Sequence, residues 1–227
     1  MIFGMLNPYR IVADMSHMAS IFVYLFVVLF KGNAAGVSLR AHQLYLIVFL
    51  SRYVDLLLVF YSWYNSVMKL FYLFATATIV FTLFKVEPAK STYSARQDNM
   101  HHWRFVLLAL LISGFIHILG RGVVHITGDE FEVHFENWNL FESLWTFSIC
   151  LEPMAMLPQL WIFYNNRILI TEIQLAIFLK GIYRLLYIAN WIYRSNHELN
   201  YRHHFVVYIA GVVQVVTYTD FFLFNLK

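Results

Sequence analysis

Ionisable side chains occur within stretches of this sequence that are otherwise apolar and aromatic. The stretch 181–196, GIYRLLYIANWIYRSN, carries Arg184 and Arg194. On insertion scales, an ionisable side chain at the centre of a membrane span costs about 2.5–3.5 kcal/mol, so such groups indicate functional sites. The groups of this kind are His17, Arg52, Asp55, Glu142, Glu152, Arg184, Arg194 and Asp220.

The spacing of these groups predicts two layers of charge. A helix rises 1.5 Å per residue, which places Arg184 about 15 Å from Arg194 along one helix, and Glu142 and Glu152 are separated equally. The upper layer is expected to contain Arg10, Glu142 and Arg194, and the lower layer His17, Glu152 and Arg184, with Arg52 and Asp55 between them.

Helical periodicity places several of these residues on shared faces, because residues three and four apart lie along one stripe of a helix. We therefore expect two stripes to converge on one polar cavity. One stripe contains Tyr183, Tyr187, Asn190 and Arg194, and the other contains Glu142, Trp145, Ile149 and Glu152.

Arginine suits ligands that carry carboxylates, because its guanidinium binds a carboxylate through two parallel hydrogen bonds. Arg10, Arg52 and Arg194 occur together with Asp55 and Glu142. This set favours a small ligand with several carboxylates and at least one positive group, such as a short acidic peptide, an amino acid or another zwitterion.

Structural roles explain individual groups of the set equally well. Arg52 and Asp55 are three residues apart and would neutralise each other. Glu152 with Arg184 would form a buried strut between two helices. Arginines near helix ends would extend to lipid headgroups. The number of such groups on several stretches favours a site for the set as a whole.

The composition places the chain in the membrane class. It has 227 residues, of which 60% are hydrophobic and 13% charged, and its mean hydropathy is +0.62, whereas soluble domains carry about 25% charged residues. The net charge of +3 is too small and too scattered to favour nucleic acid. A single cysteine, Cys150, excludes an internal disulfide framework.

Seven apolar stretches are long enough for transmembrane helices, which need about 20 residues. The first, ASIFVYLFVVLF followed by GNAAG, also resembles a signal peptide, but the six stretches after it favour a helix that stays. The sequence predicts an all-α membrane protein of one domain, residues 1–227, with spans near 8–31, 43–62, 66–85, 103–120, 141–163, 173–193 and 205–225.

The distribution of Lys and Arg between the two sets of loops predicts the orientation, since cytosolic loops carry an excess of both. One side, with the C-terminus, holds Lys31, Arg40, Lys85, Lys90, Arg96, Arg104, Arg167 and Lys227. The other side holds Arg10, Lys69, Arg121, Arg194 and Arg202. We therefore expect a cytosolic C-terminus, a luminal N-terminus and a luminal acidic segment at 121–140.

Several motifs follow one another in a fixed order along the chain. They are ADMSH at 13–17, SRYVDLLLVFYSWYNSVMK at 51–69, LWTFSICLEPMAMLPQL at 144–160, GIYRLLYIANWIYR at 181–194 and TDFF at 219–222. With them the chain resembles the KDEL receptor family along nearly its whole length. The resemblance implies a receptor, not an enzyme and without cofactor, that returns escaped luminal proteins from the Golgi to the endoplasmic reticulum.

The resemblance also implies the fold and the ligand. The fold would be seven helices in two three-helix repeats joined by an inverting helix, with Pro158-Gln159 as the repeat signature and Gln43 as its degenerate counterpart. The ligand would be the C-terminal tetrapeptide Lys/His-Asp-Glu-Leu with its free carboxylate. The family has a further acid in the luminal turn after Arg194, and here Arg202, His203 and His204 lie near that turn, with Glu198 earlier. We therefore expect a preference for His at the first position of the tetrapeptide.

Roles for the site residues follow from the same resemblance. Arg52, with Tyr53, would bind the terminal carboxylate, and Arg10 and Arg194 would bind the acidic side chains. Asp55 and Glu142 would bind the first residue. Trp145 and Trp191 would close around that residue, and Asn190 would complete the ligand-binding set. His17 would sense pH, because a free imidazole titrates near about 6.5, and Glu152, Tyr183 and Arg184 would form a latch with it.

The resemblance also implies a retrograde vesicle coat as a cytosolic partner, bound through lysines of the tail. Here the last residues are NLK, and Lys227 is their single lysine. Either this chain is cut short or the coat is recruited differently, so the tail favours retrieval less than the cavity charges favour ligand binding.

Other classes of function compete with a receptor. A proton-coupled transporter of an amino acid or sugar is the alternative on the same fold, but a zwitterion needs one arginine where several carboxylates need three. A membrane enzyme is disfavoured, because the spans contain no serine or cysteine nucleophile with a base and no metal-binding spacing of His and Asp.

Overall fold

The computed structural model describes residues 7–57, 60, 62–119, 121–127, 130–136, 139–166, 170–198, 201 and 203–225. Its helices are α1 (Pro8–Leu25), α2 (Leu39–Arg52), α3 (Trp63–Lys85), α4 (Ala89–Thr92), α5 (Trp103–Leu119), α6 (Leu140–Ala155), α7 (Leu157–Asn166), α8 (Thr171–His197) and α9 (Phe205–Asn225). A π-helical turn, Phe26–Phe30, continues α1, and a 3-10 turn, Val54–Leu57, follows α2.

Helix N-termini coincide with residues whose side chains accept hydrogen bonds from the first free backbone N–H groups. Asn7 accepts from the N–H of Arg10 at 3.0 Å, and Pro8 occupies the first turn, where its missing N–H costs nothing. Ser38, Ser62 and Asn139 cap α2, α3 and α6 in the same way.

Apolar length identifies the helices that can cross a membrane. In the part of the chain that the structure describes, four helical segments are long and apolar enough: Pro8–Phe30, Trp63–Lys85, Leu140–Asn165 and Thr171–His197. Trp103–Ile118 and Phe205–Phe221 are apolar but shorter. Many large apolar side chains of these helices face outward, as expected for a surface in contact with lipid.

Helix α2 ends at Arg52, although the predicted span runs on to 62. The hydroxyl of Ser51 bonds back to the carbonyls of Ile47 and Val48, at 2.8 and 3.1 Å, and competes with the helical ladder. Backbone that leaves the helix at membrane depth is tolerated where it lines a polar cavity. The early end therefore places Arg52 and Tyr53 at such a cavity.

The predicted span at 141–163 is divided into α6 and α7 by a turn at Met156. Pro158 is the second residue of α7, in the first turn, where a proline is tolerated although it cannot continue the preceding helix. The side chain of Gln159 forms two hydrogen bonds with the segment 36–38. Its Nε2 donates to the carbonyl of Gly36 at 2.6 Å, and its Oε1 accepts from the N–H of Ser38 at 2.9 Å. Gln159 thus ties α7 to the start of α2.

The prediction of an all-α fold does not hold for the connection between α5 and α6. Strands β1 (Arg121–Thr127) and β2 (Glu130–Glu136) form an antiparallel hairpin, and β3 (His203–His204), just before α9, pairs with β1. Residues 130–136 alternate acidic or polar with apolar side chains, which is the strand period of two. The acidic residues of this segment favoured a loop in the sequence analysis. Arg202 and Lys227, to which the sequence analysis gives roles in ligand preference and coat binding, lie outside the described residues.

The helices pack in pairs around one core. Helix α1 packs on α8 and α3, and α2 packs on α3 and α6. Helix α9 packs on α6 and α8, whereas α5 packs mainly on α6. Two serine hydroxyls fix α1 against α8: Ser16 donates to the carbonyl of Leu179 at 2.8 Å, and Ser20 donates to that of Ala176 at 2.7 Å.

The connection between α3 and α5 is held by the buried carboxylate of Asp98. It accepts hydrogen bonds from the Ser38 hydroxyl, the Arg40 N–H and the Tyr93 hydroxyl, at 2.8, 3.0 and 2.8 Å. Burial, together with the Asp98 charge, raises the pKa of Tyr93 above its usual value. These bonds fix the start of α2 at the end opposite Arg52.

Candidate functional site

A polar cavity of about 230 Å³ lies between α1, α2, α3, α6 and α8. Two further cavities, of about 320 and 420 Å³, open beside it, and Trp145 lines all three. The predicted site residues that line at least one of them are Arg10, His17, Arg52, Tyr53, Asp55, Glu142, Trp145, Tyr183, Arg184, Trp191 and Arg194.

Glu152 lies below the first cavity and binds two arginines. Nη2 of Arg52 is 2.7 Å from Oε2 of Glu152, and Nη2 of Arg184 contacts Oε1. The hydroxyl of Tyr183 also donates to Oε1, at 3.2 Å. Arg52 is further fixed by Ser148, whose Oγ and carbonyl accept from Nε and Nη2 at 3.0 and 3.2 Å. A single buried carboxylate thus joins α2, α6 and α8.

His17 lies between two tyrosine rings at the floor of the cavity. Its ring stacks on Tyr183 and Tyr72 with centroid distances of 4.3 and 4.6 Å, and Phe49 lies beside it at 5.9 Å. Only 3% of the residue is exposed. His17 thus contacts Tyr183, whose hydroxyl bonds to Glu152.

Asp14 is a site residue that the sequence analysis missed. Its carboxylate accepts hydrogen bonds from Tyr187 at 2.6 Å and Tyr64 at 2.8 Å, and Nε of Arg10 lies 3.8 Å from it. The residue lies one helical turn before His17 and lines the same cavity. Its position in the motif ADMSH was the available signal.

Arg52 and Asp55 do not neutralise each other. Asp55 binds Nζ of Lys69 at 2.7 Å, across from α3, while Arg52 binds Glu152. The 3-10 turn after α2 rotates Asp55 away from the helical face of Arg52. The sequence analysis counts Lys69 among the loop cations, but in the structure its side chain is largely buried and the residue lines the first cavity.

The second and third cavities meet at Trp145 and His204. The two rings contact edge to face at 5.5 Å, and His204 belongs to β3, which the hairpin holds by pairing with Val123. Glu142 lines the second cavity, with Asp55 and Arg52. The hairpin thus positions His204, which lines both of these cavities.

Arg194 lines the third cavity but binds a neighbour on its own helix. Nε and Nη2 donate to the two carboxylate oxygens of Glu198 at 2.8 and 2.7 Å. This bidentate contact shows how the guanidinium binds a carboxylate. Trp191, one turn earlier, lines the first and third cavities and packs its ring on Tyr208 at 5.4 Å.

Asn190 lies outside the cavities. Its side-chain oxygen accepts from Nδ2 of Asn7 at 2.6 Å, and the residue is 2% exposed. This bond joins the start of α1 to α8, so it positions Arg10 without lining the site. Asp220 lies elsewhere too, where its carboxylate accepts from Tyr164 at 2.8 Å.

Comparisons with known proteins identify the family of this chain. A family model described as ER lumen protein retaining receptor matches residues 33–194. The chain belongs to this family. It is 37% identical to ER lumen protein-retaining receptor B of Arabidopsis thaliana, over 96% of this chain and 93% of that protein. The receptor of Petunia hybrida is 35% identical over 96% and 93%. The receptor 2 of Gallus gallus is 33% identical over 96% and 92%. These matches confirm the resemblance drawn from the motifs.

Proposed function

We propose that this member of the ER lumen protein retaining receptor family binds the C-terminal tetrapeptide Lys/His-Asp-Glu-Leu of escaped luminal proteins. Binding occurs in the acidic Golgi and release in the near-neutral endoplasmic reticulum, so that the ligand returns by retrograde transport. The protein spans the membrane with a luminal N-terminus and a cytosolic C-terminus. The family membership and the charges of the cavity support this proposal.

The proposal rests mainly on the position of Arg52 and on its hydrogen bonds. Arg52 ends α2 at the junction of two cavities, and its bonds to Glu152 and Ser148 use Nε and Nη2. Among the described residues, Nη1 forms no hydrogen bond, so it remains for a ligand carboxylate. Tyr53 lies beside it and stacks on Phe49 at 5.6 Å, which fixes the ring at the same junction.

The acidic side chains of the ligand require further cations near the mouth of the cavity. Arg10 lines the first cavity and Arg194 the third. Arg194 donates two parallel hydrogen bonds to Glu198, and a ligand carboxylate would accept the same two bonds in place of Glu198. Glu142 and Asp55, in the second cavity, provide negative charge for the Lys or His of the tetrapeptide, and Trp145 and Trp191 pack around it.

Protonation of His17 couples ligand binding to pH. The imidazolium adds a positive charge below a cavity that the ligand fills with carboxylates, so the protonated protein binds the ligand more tightly. Linkage then requires the bound protein to hold that proton more tightly than the free protein does. Affinity falls as pH rises through the titration of His17. Arg184 and Tyr183 transmit the change to α6 through Glu152.

The packing supports seven spans in two repeats. The first repeat would be α1, α2 and α3, the second α6 with α7, α8 and α9, and α5 the inverting helix. In this assignment α1 corresponds to α6, α2 to α8 and α3 to α9. The contacts obey this correspondence: α1–α8 matches α2–α6, α1–α3 matches α6–α9, and α2–α3 matches α8–α9. Internal symmetry of this kind is common in membrane proteins with a site at the midplane.

Recruitment of a retrograde vesicle coat belongs to the proposal as well. Its expected determinant, Lys227, lies outside the described residues. The exposed cations Lys85, Lys90 and Arg96 on the α3–α5 connection offer further positive charge on the same side of the membrane.

Peptide binding to the purified full chain tests the proposal. A labelled peptide ending in His-Asp-Glu-Leu is titrated at pH about 5.5 and about 7.4, which bracket a free histidine. We expect binding at the acidic pH that is at least tenfold weaker at the neutral pH. Arg52→Ala should lose most of this binding, because it removes the carboxylate partner while sparing the rim of the cavity.

Controls separate the carboxylate from the rest of the peptide. The same peptide with an amidated C-terminus should bind as poorly as the intact peptide binds to Arg52→Ala. Absence of binding by the unmodified protein at both pH values would contradict the proposal and favour a transported small solute as the ligand.

A further inference from the structure

Lys180 is a buried cation that neither the sequence analysis nor the proposed site uses. It lies within α8, is 4% exposed, and its Nζ stands 3.2 Å from the centroid of the Tyr45 ring. This is the geometry of a cation–π contact. Among the described residues, no carboxylate lies within ion-pair distance of Lys180. A charge placed this deep in a membrane helix indicates a function, with Tyr45 as its partner.

The helix contacts place Lys180 at the level of His17. The hydroxyl of Ser16 bonds to the carbonyl of Leu179 at 2.8 Å, and that of Ser20 bonds to the carbonyl of Ala176, so the two helices run antiparallel. His17 and Lys180 each lie one residue from the first contact, in opposite directions, and are therefore only about 3 Å apart along the helix axes. Tyr45 and Phe49 bridge the two residues on the side of α2: the Tyr45 ring lies 6.2 Å from Phe49, and Phe49 lies 5.9 Å from His17.

This layer already holds more positive than negative charge. Glu152, from α6, pairs with Arg52 of α2 and Arg184 of α8, and Lys180 of α8 adds a third cation, without a carboxylate of its own among the described residues. The titratable groups that contact His17 are the stacked rings of Tyr72 and Tyr183, and buried His42 of α2 interacts with Lys180. A proton on His17 adds to this excess, and like charges repel more strongly in a low-dielectric interior than in water.

We propose that Lys180 is a positioning residue for the pH response: its ammonium, held on the Tyr45 ring, opposes the charge of protonated His17 and so sets the pH at which the receptor binds. The inference rests on the proposed function. The ligand supplies carboxylates that compensate the excess charge, so proton and ligand arrive together.

The pH profile of peptide binding tests this role. Affinity for the peptide ending in His-Asp-Glu-Leu is measured from pH 5 to 8 for the unmodified protein, Lys180→Met and Lys180→Arg. Methionine has a similar unbranched shape without charge. We expect Lys180→Met to move the midpoint upward by about one pH unit, which is about a tenfold gain in affinity at neutral pH. The acidic plateau should stay within about twofold. Lys180→Arg keeps the charge and should not raise the midpoint.

The outcomes separate this inference from the proposed function. A Lys180→Met protein that is folded by size exclusion and thermal melting, yet keeps the original midpoint, overturns the inference. Lys180→Gln, which also lacks the charge, takes its place if Lys180→Met does not fold. Failure of the unmodified protein to bind the peptide overturns the proposed function instead.

Discussion

At the scale of single residues, Glu152 connects three helices beside the candidate site. It is 2% exposed and binds Arg52, Arg184 and Tyr183. Removal of one partner from a buried ion pair leaves the other charges without compensation, which costs far more than the loss of a surface pair. The carboxylate therefore stabilises the fold and also fixes the arginine that we assign to the ligand.

Glu152→Gln is expected to lower the stability strongly. The amide keeps the shape but leaves two buried guanidinium groups without a counter-charge, which costs about 3–5 kcal/mol. Thermal unfolding in detergent measures the effect. Glu172→Gln is the matched control, because Glu172 binds Lys31 in an exposed pair that contributes little. Similar melting temperatures for both variants would contradict a central role of Glu152.

At the scale of elements, α9 approaches α8 closely at Trp191. A Cβ atom added to Gly211 would stand 2.9 Å from Cζ3 of Trp191, closer than carbon atoms pack. Gly211 therefore allows the tryptophan to lie flat against α9 and line two cavities. By contrast, a Cβ at Gly114 of α5 meets nothing within 4 Å among the described residues.

Gly211→Ala is expected to weaken peptide binding several-fold, because the new methyl group displaces Trp191 from the cavity wall. Gly114→Ala serves as control and should keep the affinity, with a gain in stability of about 0.5–1 kcal/mol from helix propensity. Peptide titration at acidic pH compares the two. Unchanged affinity in Gly211→Ala would mean that the position of Trp191 does not limit binding.

At the scale of the whole molecule, the orientation in the membrane decides which side receives ligand. The cavities open near the N-terminus of α1 and the C-terminus of α8. The α3–α5 connection, held by Asp98, lies at the other end of α2. The excess of Lys and Arg on that second side predicts that it faces the cytosol.

Single cysteines report this orientation. On a Cys150→Ser background, exposed Lys90 and Asn196 are each replaced by cysteine. In sealed microsomes with the cytosolic face outward, an impermeant maleimide should label Lys90→Cys directly and Asn196→Cys only after detergent is added. The reverse pattern would place the cavity on the cytosolic side and exclude a luminal ligand.

Much of the candidate site was predictable from the sequence. Ionisable groups inside apolar stretches identified Arg52, Glu152, Arg184 and Arg194, because charge in such stretches is costly and therefore rare. Ordered motifs identified the family, which the comparisons confirm. Helical periodicity predicted that two stripes converge on one polar cavity, and the middle of each stripe, Tyr183 with Tyr187 and Trp145 with Ile149, lines the first cavity.

Only the tertiary structure determined which charges meet. Arg52 binds Glu152 instead of Asp55, and Asp55 binds Lys69. Periodicity gives the position of a residue around its own helix, but an ion pair between helices depends on their relative shift and rotation. Lys180 lies inside the predicted span 173–193, so its charge alone was a signal that the sequence analysis did not use. Its partner, Tyr45, lies 135 positions away in the sequence, and only the tertiary packing brings the ammonium over that ring.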